Sequence, residues 1–263
     1  TGSRPQRFCR DVAASPPSPP SPPTRARPML SSRLLFGLLA AALFGLMLVL
    51  PSTATTVTDT TDAPFADALQ TAYATQEVTA VRDLLRRVET RTQEWMTRYR
   101  LYPLTEDEDV LGDPPSDPDD VDDATPMELA LLSGVWAYKA GETNMFNAIR
   151  YGRRSVDFLE AARRLDPDDP YVLLVGGQSF LFRPSIAGKD VPKAVDRFER
   201  LVDALEQAPD TTPGLSITEA RTWLWLALRE RGDEERARAL HEQIVAARPP
   251  VLYQKFLDDP PEV

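Results

Sequence analysis

Apolar residues at helical spacing, interrupted by glycine and proline, constrain the fold of this chain more than any other feature. The pattern extends over residues 125–249, and no part of 63–263 shows the strand alternation between turn residues that a hairpin needs. We therefore expect an all-α fold. The interruptions divide the pattern into six helices in three antiparallel pairs: 125–139 with 143–165, 169–182 with 190–207, and 216–231 with 233–247.

Two more helices are predicted before these pairs. The first covers 64–75, and the second is a long helix over 75–102 that Pro103 ends. The apolar residues of the long helix fall roughly on one stripe, so we expect it to pack on the array of helix pairs.

An acidic segment separates the long helix from the first pair. Residues 105–123 hold ten acids and three prolines. A calcium loop is one interpretation, but the spacing lacks the glycine and the closing glutamate of an EF-hand. The composition favours a solvated acidic linker.

Small residues mark the places where paired helices would touch. Glycine or alanine lets two helix axes approach, and a large side chain three or four residues away fills the space beside it. This pattern resembles the tetratricopeptide repeat, over about half the chain. The residues that carry the resemblance are Gly134 and Gly141 in the first pair, Leu173, Gly177, Phe180, Ala194 and Phe198 in the second, and Gly232, Ala237 and Pro249 in the third.

The resemblance implies an α-solenoid, and the chain departs from it at three points. About nine extra residues lie between Gly141 and Pro167, a loop is inserted at 184–190, and Trp225 stands where a small residue is expected. A long second helix followed by a DPxxP stretch also resembles, more weakly, the periplasmic tetratricopeptide-like component associated with TRAP transporters.

The first 54 residues are predicted to target the protein for export rather than to fold with the rest. Arg33 precedes a 17-residue apolar run without charge, and small residues follow it. This order indicates a secretory signal peptide or, if the run is retained, an N-terminal membrane anchor. We expect an exported protein, either free in the periplasm or anchored and facing it.

The chain is thus expected to have four parts. A proline-dense arm comes first, and Met29 leaves open whether that arm is translated. The predicted parts are the arm (1–28), the signal or anchor (29–54), a helical segment with the acidic linker (55–124) and the repeat domain (125–263).

The charge distribution limits the partners. The whole chain carries a net charge of −10, and residues 1–54 contain six arginines and one acid, so the remainder carries −15. Such a surface repels nucleic acid and anionic lipid, so we expect no nucleic acid and membrane contact only through the N-terminal apolar run.

Few residues offer enzyme chemistry. Cys9 and His241 are the only cysteine and histidine, which excludes multi-histidine and cysteine-based metal sites. No nucleophile and orienting acid accompany His241, so we interpret it as structural. The sequence predicts no enzyme, no metal and no cofactor. A hydrolase using two carboxylates across a cleft is the enzymatic alternative.

A binding face is predicted instead. In the repeat family the first helix of each pair lines a concave surface, and here that surface would suit a protein or peptide partner. The alternatives are a small apolar ligand, for a transport accessory, and occupation of the groove by the long N-terminal helix. An end repeat without a polar cap would favour oligomers. The predicted lining residues are Glu128, Leu131, Val135, Tyr138, Tyr171, Leu174, Gln178, Leu181, Glu219, Thr222, Leu226 and Arg229.

Overall fold

The computed structural model describes residues 62–208 and 211–263, and all the regular secondary structure in this part of the chain is helical. Predictions for residues 1–61 lie outside it. None of the described helices combines the length and apolarity that a membrane span requires. The helices are α1 (Asp62–Ala74), α2 (Val78–Leu85), α3 (Arg91–Thr105), α4 (Pro126–Gly141), α5 (Met145–Leu165), α6 (Pro170–Phe182), α7 (Val191–Gln207), α8 (Ile217–Arg231), α9 (Glu234–Ala246) and α10 (Val251–Asp258).

The six predicted helices between 125 and 249 are confirmed as α4 to α9. Helix α4 packs on α5, α6 on α7, and α8 on α9. Gly232 ends α8 in the left-handed conformation, with φ of 82°, which glycine adopts without steric penalty. Five of these six helices start with a side-chain cap, which satisfies backbone N–H groups of the first turn. The capping residues are Thr125, Asn144, Asp169, Asp190 and Ser216.

The prediction of one long helix over 75–102 is wrong. The segment forms two helices, α2 and α3, and α3 runs through Pro103 to Thr105. A new helix starts at Arg91 because the Thr90 side chain accepts the Gln93 N–H at 3.1 Å.

The prediction of a solvated acidic linker over 105–123 is also wrong in part. Most of its acids are exposed, but Val110, Leu111 and Val121 are buried in the core. Two short 3₁₀ turns, Glu108–Leu111 and Pro118–Asp120, fold the segment onto the body. Its backbone oxygens accept hydrogen bonds from side chains of α3 and α4, namely Arg98, Trp136 and Lys139.

One apolar core extends from α1 to α10. Gly177 makes the close helix approach that its spacing predicts, since a β-carbon there would lie 2.5 Å from the ring of Phe198 on α7. Gly134 also marks a close approach, but to Tyr99 of α3 rather than to the paired helix α5. Gly134 therefore leaves the space that Tyr99 of α3 occupies.

Candidate functional site

The residues predicted to line the binding face do not lie on an open surface. Nine of the twelve are buried, with at most 4% of the side chain exposed. Tyr138 and Gln178 are half-buried, and Arg229 is exposed and lies over the Trp225 ring at 4.8 Å. The buried nine are Glu128, Leu131, Val135, Tyr171, Leu174, Leu181, Glu219, Thr222 and Leu226.

Helix α3 packs on the α4 part of this face and reaches the rest through two consecutive side chains. The Tyr99 ring stacks on Tyr138 of α4 with 5.6 Å between ring centroids, and its hydroxyl donates to the Gln178 side-chain oxygen of α6 at 2.5 Å. Arg100, the next residue, reaches α8. Helix α3 therefore contacts the first helix of all three pairs, which is the arrangement expected if an N-terminal helix fills the groove.

Two ion pairs hold α3 on the face. The carboxylate of Glu128, the third residue of α4, binds Arg91 near the start of α3. The carboxylate of Glu219, the third residue of α8, binds Arg100 through both of its oxygens. Ser216 and Thr125 cap these two helices, and each accepts the N–H of its glutamate at 3.1 Å. Each helix start thus has one of the two hydrogen bonds of a capping box, the one from the glutamate N–H to the cap side chain. The glutamate carboxylate, which in a capping box accepts the cap residue's N–H, instead binds an arginine of α3.

The pair of Arg100 and Glu219 lies deep in the molecule. Both side chains are 2% exposed. Arg100 also donates to the Gly214 carbonyl at 3.0 Å and lies over the Tyr73 ring of α1, 4.6 Å from its centroid. The Tyr253 hydroxyl of α10 donates to Glu219 at 3.3 Å. This one cluster joins α1, α3, α8 and α10.

The cluster has strongly shifted acid–base properties. Burial alone would lower the pKa of Arg100, but the Glu219 carboxylate and nearby tyrosine hydroxyls outweigh it and hold that pKa well above its ordinary value. Burial raises the pKa of Tyr73 to about 12 and also raises the pKa values of Tyr99 and Tyr171. These groups keep one protonation state at neutral pH, so the cluster favours a structural role over proton transfer.

Sequence reasoning included Glu219 in the face but did not find its partners Arg100, Tyr73 and Tyr253. An arginine is almost never fully buried unless it is paired, so a lone Arg100 in the sequence predicts an exposed side chain. The tyrosines on either side of Arg100, at positions 99 and 102, were the one sequence signal that this arginine lies among large buried side chains.

A cavity of about 350 Å³ lies at the edge of the body, away from this cluster. Charged side chains dominate its lining, so it does not suit an apolar small ligand. Within the described ranges, no group of acids, histidine or cysteine is placed to hold a metal ion. The cavity's charged residues are Glu108, Asp109, Asp113, Lys139 and Glu142.

His241 lies against Trp225, with 5.7 Å between ring centroids. Trp225, which replaces an expected small residue, is 5% exposed and fills the space between α8 and α9. No protein-family model matches the chain, and neither a curated protein nor a solved structure matches it.

Proposed function

We propose that the protein is a non-enzymatic, exported scaffold of tetratricopeptide-like type, and that its first helices form a face that binds a helical segment of a protein or peptide partner. The observation that carries the proposal is the position of α3. Helix α3 packs on α4 and reaches α6 and α8 through the side chains of Tyr99 and Arg100. The face is therefore complementary to a helix.

In this proposal α3 is the internal occupant of the face, and a partner helix competes with it. The Arg91 end is the weaker attachment, because the Arg91 side chain is 44% exposed while that of Arg100 is 2% exposed. Opening from the Arg91 end frees Glu128 at the start of α4 without breaking the buried pair. Export rests on the apolar run and small residues before residue 55.

The test uses the full chain and the variant Arg91→Gln, which loosens the exposed end of α3. In affinity capture from an envelope fraction, we expect this variant to bind more of a particular envelope protein than the original chain does. Once purified, that protein should bind directly, and a peptide with the α3 sequence, residues 91–105, should compete with it.

The matched control is Arg82→Gln on the neighbouring helix α2, which removes an exposed ion pair between Arg82 and Asp107. This change should leave capture unaltered. Equal capture by all three proteins, or no competition by the peptide, would show that the face covered by α3 is not the binding surface.

A further inference from the structure

The start of α5 carries a concentration of exposed apolar side chains. Met145 is 73% exposed, Phe146 is 84% exposed and Ile149 is 55% exposed. Elsewhere in the described ranges, no five consecutive positions contain three large exposed apolar side chains. Arg150 and Arg153 are exposed on the same side of the helix. We call these five residues the α5 patch.

The charge around the patch is locally positive. Residues 143–156 contain three arginines and no acid, although the chain is acidic overall. Arg154 lies over the Trp136 ring, but no ion pair within the described ranges engages Arg150 or Arg153. Arg150 lies over the ring of its neighbour Tyr151, but the charge of neither arginine is neutralised by an acid of this part of the chain.

The nearest acids leave the patch open. Glu142 accepts a hydrogen bond from the Tyr102 hydroxyl. Asp157 lies one helical turn beyond Arg153 on the same side of α5, farther along the helix than the apolar residues. The acids of the charged cavity lie on the Tyr151 side of α5, because Tyr151 lines that cavity. Tyr151 is about 160° around the helix axis from Ile149. The net charge of the chain predicts repulsion from anionic lipid, and the α5 patch departs from that prediction. Exposed charges are screened over about 10 Å, so the local arginines outweigh the net charge here.

We propose that the α5 patch docks on a membrane surface that bears anionic lipid headgroups. Exposed phenylalanine, methionine and isoleucine beside arginine is the side-chain set that inserts at the boundary of headgroups and acyl chains. If it is retained as an anchor, the uncharged apolar run from Leu34 to Leu50 brings the same chain to a membrane. Patch and run together favour a lipid surface over a protein as the occupant.

The experiment labels the full chain at two sites and asks which site touches lipid. With Cys9→Ser as background, the chain carries one new cysteine and an environment-sensitive fluorophore at Met145→Cys or Ile186→Cys. Ile186 is fully exposed on the loop after α6 and serves as the matched apolar site. Each protein is reconstituted in vesicles of phosphatidylglycerol with phosphatidylcholine, and lipid-attached nitroxide quenches any fluorophore at the interface.

We expect strong quenching at position 145 and little at position 186. Arg150→Glu with Arg153→Glu should reduce quenching at 145 at least about fivefold. Arg163→Glu with Arg164→Glu removes the same charge from the exposed far end of α5 and should leave it unchanged. Phosphatidylcholine alone should give weak quenching. Circular dichroism checks that each variant is folded.

Three outcomes would overturn the proposal. Equal quenching at both positions would mean that the apolar run alone holds the body near the bilayer. Absence of quenching at position 145 would show that the patch does not reach lipid. A fluorescence change at position 145 on addition of a protein, without any change on addition of vesicles, would assign the patch to a protein partner.

Discussion

Glu128 and Glu219 occupy the same position in two different helices, and each binds an arginine of α3. Each is the third residue of its helix, in the first and in the third pair respectively. The pairs differ in burial, since Arg91 is 44% exposed and Arg100 is 2% exposed. Equivalent positions on the array thus hold α3 at one surface site and one interior site.

The difference in burial predicts different losses of stability. Glu219→Gln leaves the Arg100 charge buried without its counter-charge and should reduce the free energy of unfolding by about 3–5 kcal/mol. Glu128→Gln leaves an arginine that water can solvate and should reduce it by about 1 kcal/mol. Urea unfolding followed by circular dichroism measures both. Glu199→Gln, at the exposed pair with Arg236, is the control and should change little.

Two adjacent glycines on α6 should respond in opposite directions to alanine. A β-carbon on Gly177 would lie 2.5 Å from the fully buried Phe198 ring, whereas one on Gly176 would meet nothing within 4 Å. Gly177→Ala should therefore lose about 1–2 kcal/mol through overpacking. Gly176→Ala should gain about 0.5–1 kcal/mol from helix propensity. Similar effects at both positions in thermal or urea unfolding would contradict the packing of α6 on α7.

Gly134 and Gly152 form a second comparison, which reports on α3. A β-carbon on Gly134 would lie 2.5 Å from the Tyr99 ring, and one on Gly152 of α5 would meet nothing within 4 Å. We expect Gly134→Ala to destabilise the protein and to increase hydrogen exchange in α3, because Tyr99 must shift. Gly152→Ala should be neutral or stabilising. Unchanged exchange in α3 for Gly134→Ala would count against this contact.

The buried tyrosines predict how the protein unfolds in alkali. Their pKa values are higher in the folded chain than the ordinary value near 10, and that of Tyr73 is raised to about 12. The resulting stabilisation is complete below pH 10 and is lost as the pH rises through the folded pKa values. Tyrosinate absorbance of the buried rings should therefore appear together with loss of helicity, between about pH 10 and 12. Ionisation of these rings near pH 10 with intact helices would show that they are not buried.

The helices of the three pairs could be predicted because their ends carry local signals. Thr125 and Ser216 cap their helices, and Gly232 ends one, and each of these effects acts within a few residues. The break before α3 also had a local signal, Thr90 followed by Gln93, which the continuous apolar stripe concealed.

The contents of the groove could not be predicted in the same way. Burial of Arg100 depends on Glu219, which lies 119 residues away, and no periodicity within α3 reports that partner. Gly134 was recognised as a close approach, but its spacing does not state which helix approaches it. The linker was misjudged because three buried apolar residues, Val110, Leu111 and Val121, are few beside ten acids.

A double-mutant cycle between Arg100→Met and Glu219→Leu tests most directly whether α3 reaches the first helix of the third pair. If the two side chains meet in the interior, each single change should destabilise strongly. The double variant should then be more stable than the sum of the single losses predicts, with a coupling of about 2–3 kcal/mol. Losses that add to within about 0.5 kcal/mol would mean that the Arg100 and Glu219 side chains do not meet.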